Sequence, residues 1–289
     1  MKSLAVSLSR QRWLPYKTRR SVIKKLHPAM LKDYAFEADA LGFTFRGNIV
    51  NYIDRLVYFC GAHEKYMLFM LRDYVLALKK KNKAPLAFVD VGANAGNHTL
   101  FMSQLVGKVY AFEPFERVRK QLQENLAINN ITNVTVHPFG LSNEDATLPF
   151  YAAPDENLGA ASFHSDHKND NYYLGDMQLR RGDSLNLGKI DILKADVEGF
   201  EKFVLEGLQE TIKASRPLMV IELSPKTRET IGSEAAFYAL FPENYQFFYY
   251  KKGSNNTGHY QLAPFDYALN PKIQDVIACP AEKLIYLDN

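Results

Sequence analysis

Residues 88–99 read Phe-Val-Asp-Val-Gly-Ala-Asn-Ala-Gly-Asn-His-Thr, and this stretch decides the fold. The chain is apolar and rich in β-branched residues over 86–91, a run that is too short for a helix and typical of a buried parallel strand. Gly92 and Gly96 then permit a tight turn, and apolar residues resume at helical spacing as far as Val106. A strand, a glycine-containing turn and a helix start suit a small anionic group such as a carboxylate.

A second strand follows this helix and ends in an acid. Residues 108–113 read Lys-Val-Tyr-Ala-Phe-Glu, and Glu113 lies about twenty residues beyond Gly92, the offset at which nucleotide-binding βαβ units hold ribose hydroxyls. The alternative is a plain βαβ turn followed by a surface glutamate. The spacing favours the ribose-binding role.

The turn also discriminates between cofactors. In a dinucleotide-binding turn, Gly-x-Gly-x-x-Gly, the second glycine lets the backbone approach a pyrophosphate, but Asn94 occupies that position here. S-adenosylmethionine has no phosphate; its ammonium suits Asp90 and its carboxylate suits the helix start at 97–99. The sequence therefore favours S-adenosylmethionine over NAD. A nicotinamide-dependent oxidoreductase and a non-catalytic nucleotide-binding module are the alternatives.

The bulk composition is that of an ordinary globular protein. The chain has 289 residues, of which 47% are hydrophobic and 23% charged, enough for one large domain with an extension. A formal charge of +3 gives no argument for nucleic acid. Cys60 and Cys279 fit no metal spacing and no disulfide framework, so we expect a reducing, cytoplasmic location. No apolar run approaches the roughly eighteen residues of a membrane helix.

The basic residues are concentrated at the start of the chain. Residues 1–32 contain nine Lys or Arg and no acid, which predicts a mobile arm and a helix at 21–32. This arm could contact a membrane surface or an acidic partner, although a solvated basic face is the favoured interpretation. Short strands or a hairpin, allowing one helical turn, are predicted at 34–60, and an amphipathic helix at 64–81. The predicted boundaries are 1–82 for this extension and 83–289 for the cofactor-binding domain.

Periodicity and apolar runs predict the later elements. A helix is expected at 116–129. Further strands are expected at 133–136, 190–195, 217–223, 245–250 and 284–287, the last two as an antiparallel pair that closes the sheet. Gly140 and Leu141 follow the third strand at the edge where adenine would lie, so their backbone groups could bind its amine.

Residues 151–176 show almost no periodicity but many polar and aromatic side chains. A long irregular segment within a domain is usually functional, so we predict an acceptor-binding or lid segment that includes His164, His167 and Tyr172. The spacing of the two histidines matches no defined metal site, and no metal is assigned to them.

Two carboxylates, Asp196 and Glu198, follow the strand at 190–195. The carboxyl ends of strands are where open α/β sheets carry out chemistry, so Asp196 is expected to point into the crevice between the first and fourth strands. Helix capping is the alternative role for both carboxylates.

Five motifs in this order resemble the FkbM family of S-adenosylmethionine-dependent methyltransferases. They are Asp-Val-Gly-Ala-Asn-Ala-Gly-Asn-His-Thr at 90–99, Phe-Glu-Pro at 112–114, Gly-Leu-Ser at 140–142, Lys-Ala-Asp-Val-Glu-Gly at 194–199 and Ile-Glu-Leu at 221–223. The resemblance implies a Rossmann-like α/β fold, a mostly parallel seven-stranded sheet with the last strand antiparallel. It also implies O-methylation of hydroxyls on sugars, polyketides and other natural products. Ala95 and Ala195 stand where many members carry a larger aliphatic residue.

The residue analysis and the resemblance together predict the site. The expected cofactor-binding residues are Asp90, Gly92, Ala93, Asn94, Gly96, Asn97, Thr99, Glu113, Pro114, Gly140, Leu141 and Asp196. The expected acceptor-binding residues are His164, His167, Tyr172 and Glu222. Asp196 is the expected general base, with Glu198 or His98 next and Lys194 tuning the charge. The acceptor is expected to be a small molecule, glycan or lipid. Mg²⁺ held partly by Asp196 is an alternative that the residues favour less.

Overall fold

The computed structural model describes residues 6–8, 11, 15–26, 28–81, 84–152, 163 and 172–287. In chain order the strands are β1 Ala35–Asp39, β2 Thr44–Asn48, β3 Ala87–Val91, β4 Lys108–Phe112, β5 Val134–His137, β6 Gly140–Ser142, β7 Ala146–Ala152, β8 Tyr172–Arg181, β9 Ile192–Ala195, β10 Leu218–Glu222, β11 Tyr245–Gly253, β12 Tyr260–Pro264 and β13 Asp275–Pro280. The α-helices are α1 Tyr16–Leu26, α2 Tyr52–Cys60, α3 Lys65–Lys81, α4 Asn97–Ser103, α5 Glu116–Ile128, α6 Glu201–Gly207, α7 Gln209–Ser215, α8 Pro225–Ile231 and α9 Glu234–Ala239.

Within the described residues, the main sheet has eight strands in the order β12-β11-β13-β10-β9-β3-β4-β5. Strands β10, β9, β3, β4 and β5 are parallel, and β13 is antiparallel to both of its neighbours. The expected Rossmann-like α/β fold is confirmed, with β12 as an eighth strand at the edge. The chain leaves β3 towards β4, whereas β9 lies on the other side of β3. This reversal opens a crevice at the carboxyl ends of β3 and β9.

Hydrophobic residues cover both faces of the parallel strands, as burial on both sides requires. Phe88 and Ile192 belong to the core on one face, and Val89 and Leu193 to the core on the other. All four are fully buried. The central strands therefore fix the backbone from which the functional side chains project.

The N-terminal extension shares one of these cores. Phe45 of β2, Phe59 of α2 and Leu71 of α3 are fully buried in the same cluster as Phe88. This burial fixes α2 and α3 against the sheet, although the domain boundary at residue 82 stays a prediction.

The predicted hairpin in the extension is confirmed, because β1 and β2 pair antiparallel. The prediction of strands over 49–59 is wrong, since most of that stretch forms α2. Asn51 caps this helix by accepting hydrogen bonds from the backbone amides of Ile53 and Asp54 at 2.9 and 3.4 Å, and Gly61 ends it with a φ of 87°. A cap residue therefore overrides the β-propensity of the aromatic and β-branched residues.

A helix was predicted at 21–32, but the observed helix, α1, begins earlier, at Tyr16, and ends earlier, at Leu26. A 3-10 turn follows at Pro28–Leu31. Proline lacks the amide hydrogen that a continuing helix needs. The predicted helix at 64–81 is confirmed as α3.

Two further strand predictions need correction. Residues 140–142, for which no strand was predicted, form β6 and pair with β8. Strands β7 and β8 include the two ends of the segment predicted as irregular. Residues 284–287 lie in and after a 3-10 turn at Ala281–Tyr286, while β13 takes the expected closing position. The run Asp-Val-Ile-Ala-Cys-Pro of β13 is short and carries no alternation, so periodicity did not reveal it.

No helix within the described residues is long and apolar enough to cross a membrane.

The described basic residues at the start of the chain are only partly exposed to solvent. Lys17 and Arg20 of α1 are exposed, whereas Arg19 is fully buried. Its guanidinium donates one hydrogen bond to the carbonyl oxygen of Phe59 and another, of 3.0 Å, to Oδ1 of Asn256.

We predict that Arg19→Met lowers the free energy of unfolding by about 1.5–3 kcal/mol, the contribution of hydrogen bonds made by a charged group. Methionine keeps the apolar stem but removes both donors. Arg20→Met is the matched control and should leave stability unchanged. Urea unfolding of both variants tests this, and equal stability of the two would contradict the anchoring role of Arg19.

Candidate active site

A cavity of about 240 Å³ opens at the carboxyl ends of β3, β4, β9 and β10. Most of the residues predicted from the sequence line it. They are Gly92, Ala93, Asn94, Asn97, His98, Glu113, Pro114, Gly140, Leu141, Lys194, Asp196, Glu198 and Glu222.

The glycine turn brings two strands into backbone contact. Gly92 has a φ of 83°, and a Cβ atom on it would lie 1.9 Å from the carbonyl oxygen of Asp196. No other residue fits there. Asn94 also has a positive φ, 51°, and its Oδ1 accepts a hydrogen bond of 2.7 Å from the amide of Ala95. The Asn94 side chain thus occupies space that is empty in a dinucleotide-binding turn, where a glycine stands at this position.

Glu113 lies at the end of β4 and faces the turn. One carboxylate oxygen accepts from the amide of Asn94 at 3.0 Å, and the other from the amide of Phe115 at 2.9 Å. Burial raises the pKa of Glu113 to about 7, although these hydrogen bonds lower it. The carboxylate therefore fixes the turn at one end of the cavity and also forms part of the cavity wall.

Three predicted cofactor-binding residues lie outside the cavity wall. Asp90 is fully buried, and its Oδ2 accepts a hydrogen bond of 2.6 Å from Thr99 Oγ1. Gly96, the N-cap residue of α4, has a φ of 99°, and a Cβ atom there would meet Leu122 at 2.6 Å. These residues support the turn from the side that faces away from the cavity. The geometry therefore disfavours direct contact between Asp90 and a ligand in the cavity.

The buried Lys194 and the partly exposed Asp196 form an ion pair at the end of β9. The Nζ of Lys194 donates to Oδ2 of Asp196 at 2.9 Å. Lys194 is 3% exposed and Asp196 is 36% exposed. Burial alone would lower the pKa of Lys194, but the carboxylates of Asp196, Asp90 and Glu64 raise it above its usual value. Lys194 therefore stays charged and orients Asp196 towards the cavity.

Glu198 and Glu222 lie beside Asp196. Carboxylate oxygens of the three residues are within 4.8 Å of one another, an oxygen donor set of the kind that Mg²⁺ accepts. Burial, followed by the charge of Asp196, raises the pKa of Glu198 to about 8 and that of Glu222 to about 11. At neutral pH, Glu222 therefore carries a proton and can donate a hydrogen bond to a ligand.

A structural acid, Glu201, follows the motif at 194–199, and the sequence analysis assigned it no role. Its carboxylate accepts from the amides of Val197 and Gly199 at 2.7 and 3.0 Å and from Thr227 Oγ1 at 2.7 Å. The N-cap residue of α6, Phe200, makes no side-chain cap. Glu201 therefore holds the turn between the two acids and the helix, and helix capping by Asp196 or Glu198 stays an alternative.

The N-terminal extension contributes an unpredicted part of the wall, His63 and Glu64. Asn97 clamps the backbone of His63, since its Oδ1 accepts from the His63 amide and its Nδ2 donates to the His63 carbonyl, both at 2.9 Å. His98 places Nε2 3.4 Å from Oε2 of Glu64. Burial lowers the pKa of His63 to about 4 and that of His98 well below its usual value, so both rings are neutral near pH 7.

Aromatic side chains close the cavity near Gly140 and Leu141. Phe150 contacts Phe163, and Phe163 contacts Phe200, with ring centroids 4.7 and 5.4 Å apart. The apolar lining was not predicted, because scattered phenylalanines carry no sequence signal for a shared wall. Two predicted acceptor residues, His164 and His167, lie outside the described residues, as does the side chain of Tyr172.

Residues 90–250 match the methyltransferase FkbM domain family. The chain belongs to the FkbM methyltransferase family. It is 29% identical to "Methyltransferase 1" of Beauveria bassiana over 144 residues, which cover 42% of this chain and 58% of the relative. It is 33% identical to "Methyltransferase sdnD" of Sordaria araneosa over 157 residues, which cover 42% and 60%. The chain thus spans less than two thirds of the length of these relatives.

Among solved structures, the methyltransferase FkbM from Methylobacillus flagellatus is similar to this chain. It is 15% identical, with a TM-score of 0.44, and the match covers 71% of this chain and 47% of that one.

The buried carboxyls predict an unusual pH dependence of stability. Glu222 titrates near pH 11 in the folded protein, against about 4.3 in an unfolded chain, so the folded state binds more protons between these values. The free energy of unfolding should then fall as pH rises from 7 to 9, by at most about 1.4 kcal/mol per pH unit for one proton. His63 and His98 do not alter the sign, because in both states they are mainly neutral above pH 7.

Urea unfolding at pH 7, 8 and 9 measures this slope. Glu222→Gln should flatten it, whereas Glu210→Gln on the exposed face of α7 should not. A slope that is the same in wild type and Glu222→Gln would contradict the assigned protonation of Glu222.

Proposed function

We propose that this protein is an S-adenosylmethionine-dependent methyltransferase that methylates a hydroxyl group of a sugar, lipid or natural-product acceptor. The observation that carries the proposal is one cavity, in an FkbM-family chain, that has Glu113 at the end of β4 and Asp196 at the end of β9. Glu113 suits the ribose hydroxyls. Leu141 and the phenylalanines beside it suit an adenine ring.

The buried polar atoms of the wall fit this cofactor. Within the described residues, Oε2 of Glu64 and Oε2 of Glu222 are buried and lack a hydrogen-bond partner, and unsatisfied buried groups of this kind indicate a ligand. When bound, S-adenosylmethionine would supply an activated methyl group. The protein's tasks are then to position the acceptor oxygen, exclude water and accept a proton.

Asp196 is the proposed proton acceptor. Lys194 donates a hydrogen bond to its carboxylate, and a weak base suffices, because an alcohol oxygen becomes strongly acidic as it gains a third substituent, the methyl group. Lys194 also fixes the orientation of the carboxylate. Glu222, protonated at neutral pH, is proposed to donate a hydrogen bond to the acceptor, and Glu198 to orient it.

The oxidoreductase alternative is disfavoured by Asn94, whose side chain folds back onto the turn where a pyrophosphate would approach. A binding module without activity would leave the Lys194–Asp196 pair and the protonated Glu222 without a role. We also propose that the chemistry proceeds without Mg²⁺, because Lys194 already supplies a positive charge to Asp196.

The ribose contact predicts that Glu113→Gln weakens binding of S-adenosylhomocysteine by about 1.5–3 kcal/mol, the range for a hydrogen bond to a charged group. Glutamine preserves the shape but keeps only one of the two oxygens that accept from backbone amides, so urea unfolding of the variant is the check that the turn stays in place. Isothermal titration calorimetry measures the affinity, with the exposed Glu116→Gln on α5 as control. Unchanged affinity of Glu113→Gln would refute this placement of the ribose.

The catalytic role predicts that Asp196→Asn retains S-adenosylhomocysteine binding but loses about 10²–10⁴ in turnover, as expected for a general base. The assay follows transfer of a labelled methyl group from S-adenosylmethionine into the small-molecule and lipid fractions of a cell extract. Turnover near that of wild type would exclude Asp196 as the base. Loss of wild-type activity with EDTA, restored by Mg²⁺, would replace this mechanism with a metal-assisted one.

A further inference from the structure

Glu64 is an acid of the cavity wall that no sequence motif includes. It lies between α2 and α3, outside the residues that match the FkbM family, 90–250. It nevertheless lines the same cavity as Asn94 and Asp196.

The backbone holds Glu64 in a single conformation. Its φ is 47°, a left-handed value that costs free energy for a residue other than glycine. Its carbonyl oxygen accepts from the amides of Met67 and Leu68 at 2.8 and 3.0 Å, and Asn97 clamps the preceding residue, His63, from the other side. Several contacts therefore fix the direction of the Glu64 side chain.

The Glu64 carboxylate is short of partners. Its Oε2 is buried and has no hydrogen-bond partner within the described residues. The nearest cation-forming groups, His98 Nε2 at 3.4 Å and His63 Nδ1 at 3.6 Å, are neutral near pH 7. Lys194 is engaged by Asp196. A buried carboxylate oxygen without a donor is costly, so this end of the cavity suits a cationic ligand.

We propose that Glu64 binds the ammonium group of the amino-acid tail of the methyl donor. The inference rests on the proposed function and deepens it by assigning a second anchor. Asp90, the acid that the sequence suggested for this role, is fully buried below the wall and bonded to Thr99. Glu64 belongs to the connection between α2 and α3, whereas Glu113 follows β4, and both acids line the cavity. Thus one acid would hold the ribose and the other the charged tail.

Two ligands separate this role from a general effect on the site. S-adenosylhomocysteine carries the amino-acid tail, whereas 5′-methylthioadenosine has the same nucleoside and thioether without it. Calorimetric titration of Glu64→Gln should show binding of S-adenosylhomocysteine weakened by about 10–100-fold and binding of 5′-methylthioadenosine unchanged. The control variant Glu113→Gln should weaken both ligands, and Glu116→Gln neither.

A measurement on the wild-type protein gives a second test that does not depend on a variant. Burial raises the pKa of Glu64 to about 7, so the group is about half protonated at pH 7, and an ammonium beside it would drive the proton off. Titrations at pH 7 in buffers of different ionisation enthalpy should show about half a proton more released with S-adenosylhomocysteine than with 5′-methylthioadenosine, because both ligands place the same ribose beside Glu113.

The outcomes are distinguishable. Tight binding of S-adenosylhomocysteine by wild type that Glu64→Gln leaves intact would overturn the role of Glu64 and leave the proposed function standing. An equal loss for both ligands would also overturn it. Failure of the wild-type protein to bind either ligand would overturn the proposed function and this inference together.

Discussion

One buried positive charge organises the site. Lys194 lines the cavity. Its ammonium group is paired with Asp196 and is close enough to Asp90 and Glu64 that all three carboxylates raise its pKa. Without this charge, several acids would be buried side by side, a state that proteins normally avoid by protonation or pairing. Lys194 pairs with Asp196, whereas burial and the charge of Asp196 raise the pKa values of Glu198 and Glu222, so that these two hold protons at neutral pH. A single lysine thereby gives adjacent carboxyl groups different chemical roles.

The second constraint is steric. The backbones of Gly92 and Asp196 approach so closely that no side chain fits at position 92, and this contact joins the turn after β3 to the turn after β9. Glu113 holds the first turn through the amide of Asn94, and Glu201 holds the second through the amides of Val197 and Gly199. Two buried glutamates therefore preorganise the two sides of the cavity without themselves needing to react.

The sequence predicted the parts of the molecule in which local pattern and burial agree. The parallel strands are apolar runs that end in glycine or acid, so β3, β4, β9 and β10 and the acids that follow them could be located from the sequence. The wall contributed by His63 and Glu64 could not, because its position depends on packing of α2 and α3 on the sheet, and no local spacing encodes a long-range contact. Asp90 illustrates the opposite limit. Its motif position was recognised, but only the structure shows that it is fully buried and that Thr99 bonds one of its two carboxylate oxygens.

The order of the strands constrains how the chain can fold. Strand β13 lies between β10 and β11, yet it is made after both, so a growing chain cannot complete the sheet until about residue 280 has left the ribosome. Until then, β10 has an open edge, and the β11–β12 hairpin has no place to dock. Non-local pairing of this kind slows folding, and exposed edges favour association with other chains. A fragment cut to the family-matching residues 90–250 would retain this open edge, so the catalytic motifs and the folding unit do not share the same boundaries.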